Sequence, residues 1–60
     1  MFQPGDRVRV KSMDTTYHDW VGTVVHHEPW PNFGLEWAVR LDGRPDNSLI
    51  RFRTHELCRA

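Results

Sequence analysis

Apolar and polar residues alternate in several short runs along this chain, and no run carries the three-to-four-residue spacing of a helix. In residues 6–11, Val8 and Val10 fall on one side and Arg7, Arg9 and Lys11 on the other, which predicts a half-buried strand. Residues 21–27 include β-branched Thr23, Val24 and Val25, which favour a pleated surface, and Gly22 predicts a bend or bulge there. Residues 36–41 alternate again, with Trp37, Val39 and Leu41 inward. Residues 49–53 place Ile50 and Phe52 on one face and Leu49, Arg51 and Arg53 on the other. Thr54-His55-Glu56 reads as a single 3-10 turn capped by Thr54, and Leu57-Cys58-Arg59 as a short last strand.

The connections carry their own signals. Pro4-Gly5 bends the entry to the first strand. Residues 12–19 form a long loop ending at Trp20, with His18-Asp19 as a polar turn. In residues 28–34, two prolines flanking Trp30 forbid regular pairing. Asp42-Gly43 is a turn signal, extended through Asn47. Five short strands in this length predict an all-β fold: a small, partly open, five-stranded SH3-like barrel with one 3-10 turn before the last strand, as a single domain over residues 1–60.

Composition sharpens this outline. A chain of 60 residues buries only about 60% of its unfolded surface, so the core is marginal and self-association is attractive. Cys58 is the only cysteine, which excludes an intrachain disulfide and suits a reducing, cytoplasmic setting. Eight Lys+Arg balance eight Asp+Glu, so bulk charge advertises no nucleic-acid partner. No apolar run reaches signal-peptide or membrane-spanning length, and no membrane partner is expected.

Adjacent strand residues point to opposite faces, so His26 and His27 cannot chelate one ion together. His55-x-x-Cys58 lacks the second ligand pair of a structural zinc site, and no metal is expected. Arg7, Arg9 and Lys11 share one strand face. With Arg51 and Arg53 on a neighbouring strand they would make a basic stripe for phosphates, the alternative being a solvated face that discourages edge pairing. Tyr17, Trp20, Trp30 and Phe33 sit in the two long loops, which meet at one end of SH3-like barrels. An aromatic groove there would take a proline-rich peptide or a methylated amine. The plainer expectation is that Trp20 plugs the barrel end; for Trp30, packing across its own loop and display in the groove both stand. No Gly-x-Ser-x-Gly, telling carboxylate pair or glycine-rich phosphate loop is present.

Gly5-Asp6-Arg7-Val8-Arg9-x-Lys11-Ser12, Trp20-x-Gly22-x-Val24-Val25, Ala38-Val39, Pro45, Ser48, Leu57 and Arg59 together span nearly the whole chain. In these positions and their spacing the sequence resembles the type B, plasmid-borne, trimethoprim-insensitive dihydrofolate reductases. Extra residues fall in the first loop and near Asp46-Asn47. The resemblance implies a small SH3-like barrel, a homotetramer around a central pore, and a protomer interface at Trp20. It departs where that family carries its activity, a Val-Gln-Ile-Tyr strand after a serine: here Ser48 is followed by Leu49-Ile50-Arg51-Phe52. Ile50 replaces the glutamine that contacts both ligands, Phe52 loses the tyrosine hydroxyl, and the pore lysine falls at Val10, with Lys11 one place on. Lys11, Ser48, Ile50, Arg51 and Phe52 are therefore the candidate pore or ligand-facing residues. Repeated around a pore, Arg51 would repel its own copies unless an anion sat between them.

The expectation is a non-catalytic SH3-like binding or oligomerisation module without a cofactor, acting through self-association or a protein or peptide partner. The alternatives are a reductase-like homotetramer with an altered pore, using NADPH, and a nucleic-acid-binding module.

Overall fold

The alternating runs become strands wherever one face can be covered. The computed structural model describes residues 1–30 and 32–60; Pro31, the second proline expected to block pairing beside Trp30, lies outside them. Among the described residues the strands are β1 (Arg7–Val10), β2 (Val21–His27), β3 (Trp37–Leu41), β4 (Leu49–Phe52) and β5 (Leu57–Arg59), and a 3-10 turn, η1 (Thr54–Glu56), precedes β5. All pairings are antiparallel, in one sheet of order β4-β3-β2-β1-β5. β4 and β5 are its two edges and do not pair with each other, so the hydrogen-bonded sheet is open rather than closed into a ring.

The period of two sets the core. Val8 and Val10 of β1 are fully buried, while Arg7 and Arg9 between them are exposed. Trp37, Val39 and Leu41 of β3 meet Phe52 of β4 and Leu57 of β5 in the same cluster, and Phe2, Tyr17 and Ile50 pack on its margin. Trp37 is the largest buried side chain. Its indole N–H donates to Thr54 Oγ1 at 2.8 Å, and the Thr54 hydroxyl in turn donates to Glu36 Oε1 at 3.1 Å. Burying an indole N–H without a partner would be costly, and η1 removes that cost.

Two local expectations are corrected. Thr54 does not cap η1, because its hydroxyl is committed to Trp37 and Glu36. Glu56 caps instead, accepting the Arg53 N–H at 2.7 Å. The bulge in β2 is not at Gly22 but at Val25, since Val24 pairs with Val39 and His26 with Ala38. Gly22 serves close approach: a Cβ there would lie 2.5 Å from the Arg40 carbonyl oxygen and 2.9 Å from Leu41 Cα. No side chain fits between these strands at that point.

Candidate functional site

The loop of residues 28–36 joins β2 to β3 and is pinned at its neck. The Glu28 N–H donates to the Glu36 carbonyl at 2.7 Å, and the Glu36 N–H to the Phe52 carbonyl at 3.1 Å. Further out, the Leu35 N–H reaches the Asn32 carbonyl at 3.0 Å, and Arg53 Nε donates to the Phe33 carbonyl at 2.7 Å. Phe33 (φ 56°) and Gly34 (φ 74°) both take left-handed conformations where the chain reverses. A loop tied this firmly nevertheless leaves Trp30 88% and Phe33 85% exposed.

Side chains reinforce the neck. Glu28 Oε1 accepts from Arg51 Nε at 2.6 Å and lies 3.0 Å from His26 Nε2. Glu36 Oε2 lies 3.2 Å from His27 Nε2, and the His27 ring leans on Trp37 with centroids 4.6 Å apart. The Arg51 hydrogen bond, and then that of His26, holds the Glu28 carboxyl below its usual range. His27, and then Thr54, does the same for Glu36. Above the neck, Glu28, Trp30, Asn32, Leu35 and Arg51 line a shallow cavity of about 150 Å³. That volume admits one small ring or side chain. The terminal nitrogens of Arg51 and Oε2 of Glu28 have no hydrogen-bond partner among the described residues, leaving donors and an acceptor at its rim.

The first long loop is built differently. Tyr17 meets Trp20 edge-on at 5.2 Å and Phe52 at 6.4 Å, so its ring joins the core margin. Arg44 donates to the Tyr17 hydroxyl at 2.8 Å, while Arg44 Nε is buried with no hydrogen-bond partner among the described residues. Trp20 is 38% exposed, which corrects the expectation that it plugs an end of the fold. The ring contacts among the described residues do not join Tyr17 and Trp20 to Trp30 or Phe33 in one groove.

The expected basic stripe is also broken up. β1 and β4 are not neighbours, because β2 and β3 lie between them in the sheet. Arg7 is paired with Asp42, Arg51 with Glu28, and Arg53 with Glu56 and the Phe33 carbonyl. Arg9 and Lys11 stay exposed, and among the described residues neither has an acidic partner. In their place Arg40 comes beside Thr23, across which Arg7 stands on β1, a juxtaposition that only the strand register reveals.

The residues tied to the reductase resemblance separate by face. Phe52 is core and Ile50 packs on its margin, while Arg51 projects from the other face to Glu28. Ser48 lies just before β4, its N–H 3.3 Å from Asp46 Oδ1; Lys11 follows β1, its N–H bonded to the Glu56 carbonyl at 2.8 Å. Glu28, Asn32 and Leu35 were not legible as site residues. They become one only through the contact of Arg51 with Glu28, distant in sequence, which no local motif encodes. Among the described residues, no three His, Cys, Asp or Glu side chains gather as metal ligands. No protein-family model, curated protein or solved structure matches this chain.

Proposed function

We propose that this chain is a non-catalytic binding module, an open-edged variant of the SH3-like barrel, that presents Trp30 to an extended, proline-containing peptide. The observation that carries the reading is a firmly pinned loop that leaves two aromatic rings in water. Exposed indole and phenyl area is unfavourable in an isolated domain, and rings held in place lose little entropy when a partner covers them. The adjoining cavity suits such a peptide. Trp30 and Leu35 offer an apolar shelf for a proline ring, Arg51 and Asn32 offer donors for its carbonyls, and Glu28 Oε2 offers an acceptor. A methylated amine fits less well, since one indole is not a cage of rings and Arg51 would repel the cation.

Nucleic acid is disfavoured because the charges of Arg7, Arg51 and Arg53 are each offset by a neighbouring carboxylate. Dihydrofolate reduction draws no support from β4, where Phe52 is in the core and Ile50 on its margin. Self-association is a second reading, favoured by the half-exposed Trp20 and the open β4 edge. Titration of the labelled protein with a proline-rich peptide, followed by NMR, tests the first reading. Trp30 and Arg51 resonances should shift together and saturate, and a Trp30→Ala variant should not respond. No shift at millimolar peptide sinks the proposal. Sedimentation equilibrium tests the second, with a monomer at high micromolar concentration counting against it.

A further inference from the structure

The backbone groups on the open edge of β4 have directions that the hydrogen bonds of the sheet fix. In an antiparallel ladder the N–H and C=O of one residue point to the same side, and successive residues point to opposite sides. The Asp42 N–H donates to the Val21 carbonyl at 2.9 Å, so Asp42, and with it Arg40, turns its backbone toward β2. Leu41, Val39 and Trp37 therefore turn theirs toward β4. Val39 stands opposite Ile50 and Trp37 opposite Phe52, so Ile50 and Phe52 face β3. The Phe52 carbonyl accordingly accepts the Glu36 N–H at 3.1 Å. Leu49 and Arg51 are left pointing away from the sheet, on the side where β4 has no neighbouring strand. Local turns close this stretch at both ends: the Ser48 N–H lies 3.3 Å from Asp46 Oδ1, and the Arg53 N–H donates to Glu56 Oε1 at 2.7 Å. The β5 edge is better covered, since the Leu57 N–H reaches the Thr54 carbonyl and Arg59 is tied to Asp6 and the Met1 carbonyl.

We propose that the peptide adds to this edge as a further strand, parallel to β4, with prolines at every second residue. The mode of binding rests on the proposed function. Arg51 joins the two surfaces, since its backbone lies on the edge and its side chain lines the cavity with Trp30, Asn32 and Leu35. Proline has no N–H, so it fits only where the peptide backbone faces away from β4. In a parallel pair, the peptide residue opposite Ile50 donates to the Leu49 carbonyl and accepts the Arg51 N–H. The residues opposite Leu49 and Arg51 then face away and admit proline, and their side chains fall on the Arg51 face, beside the cavity. Antiparallel addition would put the prolines on the Ile50 face, away from Trp30. Main-chain bonds supply affinity and the cavity selects alternate side chains. Each proline also keeps the residue before it extended. A contiguous polyproline segment is excluded as a strand, because it has no N–H for the Leu49 carbonyl. A second copy of β4 is a poorer occupant: antiparallel pairing through Leu49 and Arg51 would set two Arg51 side chains diagonally on one face.

The test titrates the native chain with a Val-Pro-Val-Pro-Val peptide and with a polyproline peptide of equal length, and follows amide exchange by NMR. With the alternating peptide at about ten times its Kd, exchange of the Arg51 N–H should slow about tenfold, while Ile50 and Phe52, already in the ladder, should change little. A spin label on the peptide N-terminus should broaden resonances near Ser48 rather than near Arg53. Polyproline should leave the Arg51 N–H unprotected and bind more weakly. Equal binding of the two peptides, or Trp30 shifts with no protection at Arg51, overturns strand addition and leaves the proposed function standing. Broadening near Arg53 overturns the parallel direction. Protection at Arg51 that grows with protein concentration in the absence of peptide assigns the edge to a second copy and also overturns the proposal. If neither peptide moves the Trp30 resonance, the proposed function and this mode of binding fall together.

Discussion

The two long loops hold two aromatic rings each, and Tyr17 of the first is treated in the opposite way to Trp30 and Phe33 of the second. In the first, Tyr17 lies against Phe52 and Trp20 and offers its hydroxyl to Arg44, so the loop contributes to the core. In the second, hydrogen bonds and ion pairs hold the backbone while Trp30 and Phe33 are left in water. An aromatic-rich loop is thus not one kind of object. A ring that packs on the core margin, as Tyr17 does, is committed to folding; rings left outside the core by a polar-pinned loop, as Trp30 and Phe33 are, stay free for a partner.

Both loops depend on the β2–β3 frame, and breaking it gives the largest effect. Gly22→Ala forces a Cβ within 2.5 Å of the Arg40 carbonyl oxygen, and backbone must move to admit it. A loss of about 1–3 kcal/mol is expected, enough to compromise a domain this small; thermal unfolding followed by circular dichroism measures it. A native-like melting temperature would show that the frame yields.

Tyr17→Ala sharpens the contrast itself. Removing a half-buried ring and the acceptor of Arg44 should cost about 2 kcal/mol in urea denaturation. An effect no larger than that of Trp30→Ala would erase the distinction between the loops.

Acid acts more broadly. The carboxyls of Asp6, Glu28, Glu36, Asp42 and Asp46 are all lowered, each first by a hydrogen bond: from the Gln3 backbone, Arg51, His27, Arg7 and Ser48 respectively. A depressed carboxyl contributes stability above its unfolded value, and that contribution is lost as pH falls through the folded one. The melting temperature should therefore drop progressively below about pH 4.5, where carboxylates begin to protonate. Charge-neutral variants of the second loop, Glu28→Gln and Glu36→Gln, should lower stability at pH 7 and blunt this slope. A melting temperature that rose on acidification would reverse the sign of the argument.

The smallest effect on stability is expected at Trp30. Trp30→Ala should change the unfolding free energy by no more than about 0.5 kcal/mol, because the ring is almost wholly exposed. The same change should abolish the peptide response. Marked destabilisation would mean that this loop, too, spends its rings on folding.

The strands were legible because alternation is a local property: Val8 and Val10 against Arg7 and Arg9 require the same pleat in any context. The five strands and the inward residues of β3 follow from that pattern, and the 3-10 turn from the polar Thr54-His55-Glu56 run between β4 and β5. The cap of η1 was not legible, since Thr54 had a distant and stronger claim from the Trp37 indole. The place of the bulge escaped as well, because Gly22 signals either a bulge or a close approach and only the neighbouring strand decides between them.

The sequence by itself determined which residues form strands and which of their faces is apolar, since both depend on neighbours one or two positions away. Tertiary structure alone decided that β1 and β4 stand apart, that Arg51 serves Glu28 rather than a basic stripe, and that Tyr17 is buried in part while Trp30 is not. Those outcomes depend on strand order and register, which bring together groups distant along the chain, and a charged or aromatic side chain carries no local mark of the partner it will meet.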